Sequence, residues 1–95
     1  MNSHENSKDA LLNRLRRIEG QVKGIQKMIE NDKYCGDILI QVAAAKAALG
    51  KVGGIVLEEH TKKCIKNAVE EKREESIDEL INIILKFMKQ GGGYK

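Results

Sequence analysis

ALGKVGGIV, Ala48 to Val56, decides the fold of this chain. Glycine clusters ordinarily mark a turn, and Gly50, Gly53 and Gly54 would each cost a helix about 1 kcal/mol relative to alanine. Yet the apolar positions around them keep step. Cys35, Ile38, Val42, Ala45, Leu49, Val52 and Val56 follow one another at alternating spacings of three and four. A hairpin at the glycines would reset that phase. The unbroken seam predicts one helix running through them, with the glycines allowing another helix to come close. Continued to about Glu71, this helix is roughly 55 Å long at about 1.5 Å per residue.

Two more helices flank it. Leu11, Leu15, Ile18, Val22, Ile25 and Ile29 form a second heptad seam upstream, with Ser7 as its expected N-cap and Asn31 and Asp32 as turn residues at its end. Downstream, SIDE (Ser76 to Glu79) reads as a capping box with Ser76 as N-cap, followed by Ile77, Leu80, Ile81, Ile84, Leu85 and Met88 on one face. The expected fold is all-α, three helices in one domain over residues 1–95, with 1–6 and 91–95 as mobile tails. One chain cannot bury such long apolar seams. The expected solution is an oligomer in which the first two helices of two chains make an antiparallel four-helix bundle.

Composition agrees. The chain has 95 residues, 41% hydrophobic and 33% charged, with no proline, no tryptophan and one phenylalanine. That balance suits a small helical domain, not an aromatic-rich β-sandwich. MNSHENSKDA lacks the basic and apolar regions of a signal peptide, and no apolar run is expected to approach membrane-spanning length. A cytoplasmic protein is expected, without membrane association. Its two cysteines then read as ligands or nucleophiles before they read as a disulfide. The net charge of +3 permits an anionic partner without demanding one.

The chemistry lies in HTKKC. His60 and Cys64 stand at i and i+4, so they share a helix face with Cβ atoms about 5–6 Å apart. Such a pair is either an accident of a solvated helix or half of a metal site. Cys35 offers the missing donor but begins the same helix, roughly 37 Å from His60 if the helix is continuous. A metal bond of about 2–2.3 Å cannot cross that distance. Cys35 of an antiparallel partner can, giving two sites per dimer. Two thiolates and one imidazole form a soft three-donor set that suits Cu(I). Structural zinc wants a fourth ligand. Nickel wants another nitrogen donor, for which His4 is the spare histidine. A metal-bound histidine usually gives its other N–H to an oxygen, and Tyr34, beside Cys35, or Glu79, at the start of the third helix, could serve.

Arg14 flanks the first seam, while Arg16, Arg17, Lys23 and Lys27 read as its outer face; Lys46 and Lys51 follow on the second helix. This spacing fits phosphate tracking or an ordinary solvated face. No compact DNA-binding motif is visible, so a DNA surface would have to be assembled by the oligomer. A Cys–His dyad enzyme would need an oxyanion donor and an orienting third group. Neither is evident, and no small-molecule substrate is expected.

LNRLRRIEGQVKGIQKMIE (12–30), YCGDIL (34–39), LEEHTKKC (57–64) and IDELI (77–81) together resemble the copper-sensing CsoR branch of the CsoR/RcnR family of bacterial transcriptional repressors. The resemblance runs roughly from Leu11 to Phe87. It implies dimers with an antiparallel four-helix core, pairing into tetramers through the third helix. It implies a repressor that holds operator DNA without metal and releases it on binding Cu(I), freeing copper-resistance genes. Cys35, His60 and Cys64 fall on the family's copper ligands, and Tyr34 and Glu79 on the pair that couples the site to DNA. Arg14 matches a DNA-binding arginine, Lys51 stands where the family has arginine, and Lys46 lies on the same basic surface. The persulfide-sensing branch lacks the histidine and the formaldehyde-sensing branch lacks the second cysteine. Nickel sensors carry an N-terminal histidine at the slot that is Ser3 here, one place from His4. The alternatives left open are a nickel-sensing repressor using His4 and a thiol-redox or copper-buffering protein.

Overall fold

The computed structural model describes the backbone of residues 3–91 and the side chains of residues 8–89. Three helices account for the described fold: α1 (Ser3–Glu30), α2 (Cys35–Glu70) and α3 (Glu75–Gly91). The all-α expectation holds. So does the continuity of α2, a single 36-residue helix through Gly50, Gly53 and Gly54. Alanines and leucine on either side supply the helix propensity that the glycines lack.

The chain divides into two compact units, Met1–Val52 and Gly53–Lys95. In the first, Ile18 and Val52 are buried, and Leu11, Ile25, Ile38 and Ala45 are partly buried. Each predicted seam is thereby split. The rows 11/18/25 and 38/45/52 are covered within the chain, while Leu15, Val22, Ile29, Val42 and Leu49 remain exposed, the last at 51%. Each open row repeats every seven residues, the spacing that a helix from another chain would match. In the second unit Cys64, Ser76 and Leu80 are buried, while Ile77, Ile81, Leu85 and Met88 of α3 are exposed.

The first turn is closed by a Schellman motif. Lys33 N–H donates to Met28 O (2.9 Å) and Asp32 N–H to Ile29 O (3.1 Å), with Asp32 in the left-handed region at φ 54°. The Tyr34 carbonyl then accepts from the N–H groups of Asp37 and Ile38, which starts α2. The second turn is looser. Lys72 is left-handed at φ 55°, and Arg73 N–H reaches Asn67 O at 3.5 Å. Arg73 lies 4.0 Å from Glu71 and 3.7 Å from Glu75, both solvent-facing pairs of small energetic weight.

Several expected boundaries move. Ser7 lies inside α1, which begins at Ser3, so residues 3–6 of the expected tail are helical. Nothing in SHENSK breaks a helix, since it contains neither glycine nor proline. Gly91 ends α3, and residues 92–95 of the expected tail lie outside the described residues. The Ser76 capping box is not formed. Glu75 is the first residue of α3, Ser76 is inside its first turn at 3% exposure, and Glu79 lies a turn further in. Glu74 and Arg73 supply the carbonyls for the opening turn, to Ile77 and Ser76 N–H at 3.0 Å each.

The membrane expectation also needs correction. α2 contains an 18-residue window of mean hydropathy 1.4, long and apolar enough to cross a membrane by length and composition alone. Between Asp37 and Glu58 only Lys46 and Lys51 carry charge. Those two lysines would each cost about 2.5–3.5 kcal/mol near a bilayer centre. Seven-residue apolar rows are instead what helix-on-helix packing in water uses.

Candidate metal centre

α2 brings two of the three predicted ligands together without help from any other element. Cys64 Sγ lies 3.4 Å from His60 Nε2, one helical turn away. Either the thiol donates to a bare Nε2, or an Nε2–H donates to the sulfur. Both arrangements turn the Nε2 edge of the ring toward Cys64. Cys64 is 6% exposed and His60 partly buried, so the pair sits at the margin of the apolar interior. Thr61 is occupied elsewhere, its hydroxyl donating to Leu57 O at 2.8 Å.

The pair fits a soft metal ion. Bonds of about 2.3 Å to sulfur and 2.0–2.1 Å to nitrogen sum to more than the gap between the donors, so both atoms reach one ion at a bent angle. Cys35, the first residue of α2, is a free and exposed thiol. Among the described residues, no three His, Cys, Asp or Glu side chains gather into a metal cluster. Tyr34 is 75% exposed, and its ring lies across Gly36. Glu79 is exposed on α3. His4 belongs to α1, but its side chain lies outside the described residues.

The basic residues sort differently from their sequence reading. Arg14 and Arg17 line one small pocket with Ile18, Gln21 and Ala48. Arg17 therefore belongs with Arg14 on the side of α1 that meets α2, not on the outer face. Lys51, three residues after Ala48, stands on the same face of α2. Arg16 points elsewhere and donates from Nη1 to Asn13 Oδ1 at 2.9 Å. Arg14, Arg16, Arg17, Lys46 and Lys51 are all exposed. The ion pairs among the described residues involve none of them.

Sequence reasoning missed a contributor to the surroundings of His60. Phe87 and Ile83 of α3 line a cleft of about 390 Å³ with Gly53, Val56, Leu57 and His60 of α2. The signal that points to it is the chain's one phenylalanine, an aromatic ring in a helix otherwise aliphatic on that face.

Residues 7–86 match the family described as metal-sensitive transcriptional repressor. The copper-sensing transcriptional repressor CsoR of Bacillus subtilis is 47% identical over 90 residues, covering 92% of this chain and 89% of the relative. The copper-sensing transcriptional repressor RicR of Mycobacterium tuberculosis is 52% identical over 64 residues, covering 67% of each. Among solved structures, the copper-sensing repressor CsoR with Cu(I) from Geobacillus thermodenitrificans superposes with a TM-score of 0.76 at 46% identity, covering 83% of each chain. The nickel-responsive transcriptional regulator InrS superposes at 0.77 with 38% identity, covering 83% of this chain and 90% of its own. A helical fold with a Cys–His pair on its long helix, matched over nearly its whole length, places the chain in the metal-sensitive transcriptional repressor family.

Proposed function

We propose that this protein is a Cu(I)-responsive repressor that holds operator DNA when metal-free and releases it when Cu(I) binds, derepressing copper-resistance genes. The observation that carries the reading is the His60–Cys64 pair, 3.4 Å apart on one helix. The copper-sensing relatives at 46–47% identity support the choice of metal. As a member of a repressor family the chain is not an enzyme. Its working compartment is the cytoplasm, where operator DNA lies.

The working unit is an oligomer, a four-helix-bundle dimer and then a dimer of dimers, in which the two compact units act together. The open rows Leu15/Val22/Ile29 and Val42/Leu49 support it, since exposed apolar rows of this length call for a cover. Cys35 of one chain completes the donor set begun by His60 and Cys64 of another. Cu(I), when bound, supplies bonds to soft sulfur and imidazole donors that join the two chains. One ring nitrogen of His60 takes the metal, and the non-ligating nitrogen bonds an oxygen partner, the role assigned to Glu79 or Tyr34. Arg14, Arg17 and Lys51 form the centre of the DNA surface, with Arg16 and Lys46 at its margin. The coupling is reciprocal: DNA weakens Cu(I) binding by the factor by which Cu(I) weakens DNA binding.

The fold does not select the metal, because a nickel-responsive regulator shares it. The test is anaerobic titration of the reduced protein on its own upstream DNA, followed by anisotropy. Release near one Cu(I) per chain supports the reading. Release by Ni(II) alone transfers it to nickel. Tight Cu(I) binding without DNA retention makes this a copper-buffering protein instead.

A further inference from the structure

The glycine run and the lone phenylalanine meet at one point. A methyl group on Gly53 would stand 2.7 Å from Phe87 Cε1 and 2.8 Å from Cζ, closer than carbon atoms pack, whereas Gly50 and Gly54 have open space around them. Of these three glycines only Gly53 has its missing side chain used, and Phe87 uses it. Beside the ring lies the cleft lined by Gly53, Val56, Leu57, His60, Ile83 and Phe87. His60 is the one polar side chain in that wall. Its other neighbour is the Cys64 thiol at 3.4 Å.

On the side away from Cys64 the imidazole faces the space of this cleft, and the cleft walls set how far it can turn. Phe87 forms part of that wall, so the seat of its ring bounds the space into which His60 can swing. We propose that Phe87, seated on Gly53, is a positioning residue for His60: it keeps the imidazole turned to Cys64 and ties that orientation to the placement of α3. This inference rests on the metal-responsive reading and deepens it. It supplies a packing route from the metal-site histidine to α3, separate from any hydrogen bond through Glu79. A Cβ at position 53 would push the Phe87 ring off its seat, and the room available to it is the cleft His60 lines.

The test compares full-length wild type with Phe87→Ala, Phe87→Leu and Gly53→Ala. The first readout needs no metal: long-range ¹H–¹⁵N spectra of the imidazoles in the reduced apo-protein, with His4→Gln for assignment and Cys64→Ser as the reference for a lost thiol contact. In Phe87→Ala and Gly53→Ala the His60 resonances should move toward the Cys64→Ser positions, with Phe87→Leu between. The second readout is the ratio of operator affinities without and with Cu(I). It should fall at least about tenfold in Phe87→Ala and Gly53→Ala, while apo operator affinity changes far less. Wild-type His60 spectra in the folded variants overturn the proposal, and so does a parallel loss of apo DNA affinity and thermal stability with the ratio unchanged. If Phe87→Ala does not fold, Gly53→Ala and Phe87→Leu carry the same comparison. Should Cu(I) fail to release even the wild type, the copper reading falls. The apo spectra would still decide the role of Phe87.

Discussion

His60 Nε2 and Cys64 Sγ stand 3.4 Å apart on adjacent turns of α2, and Cys64 is almost fully enclosed. On the proposed reading, half of the metal site is built before any metal or partner arrives, and little rotamer freedom is left to lose on binding. Replacing either residue should remove the site without unfolding the helix that carries it. For His60→Ala and Cys64→Ser, Cu(I) affinity measured against a chromophoric chelator should fall by more than about 100-fold, beyond what losing an outer partner causes. Metal-free operator affinity should stay close to wild type. A Cys64→Ser protein that still binds Cu(I) tightly would remove Cys64 from the ligand set.

A mixed dimer tests whether the third donor crosses between chains. Cys35→Ala and Cys64→Ala homodimers should each lack a complete site. When co-refolded, the heterodimer should recover one tight site, made from Cys35 of one chain with His60 and Cys64 of the other. Cu(I) equivalents bound by the purified heterodimer report this directly. Zero recovered sites would mean that Cys35 serves its own chain or does not serve at all.

Salt dependence sorts the basic residues. Arg14→Ala and Arg17→Ala should weaken operator binding and each lower the slope of log K against log salt by about one. Arg16→Ala should do less, because the Arg16 guanidinium is already held by Asn13 at 2.9 Å. The slopes come from anisotropy titrations across a series of salt concentrations. An Arg16 effect larger than that of Arg17 would reverse the assignment of faces.

Glu79→Ala should separate binding from response. Cu(I) affinity should stay within about tenfold of wild type, as for the loss of an outer partner. The Cu(I)-induced release from DNA should be blunted. Full release by this variant would leave the response to packing through Phe87 alone.

A stability prediction follows from the first turn. Asp32 adopts φ 54° at the end of α1, a conformation that glycine enters more cheaply than any L-residue. Asp32→Gly should therefore stabilise the protein by about 0.5–1 kcal/mol, read by urea unfolding at fixed protein concentration. A destabilised variant would show that the Asp32 side chain contributes more to the turn than its backbone strain costs.

Whatever depends on local geometry was legible in the order of the residues. Three helices, the passage of α2 through its glycines and the shared face of His60 and Cys64 all follow from a period of 3.6 residues, which neighbouring residues set among themselves. Boundaries were less legible. SIDE matches a capping box letter for letter, yet α3 starts one residue earlier and Ser76 is buried, because packing overrides a motif worth about 1 kcal/mol. Three features emerge only from the folded chain: which apolar row of each seam is covered, that Arg17 joins Arg14 beside Ala48, and that Phe87 takes the space left at Gly53. These depend on where one helix lies against another. A heptad pattern announces that contact, but shape complementarity between residues far apart in sequence chooses its partner.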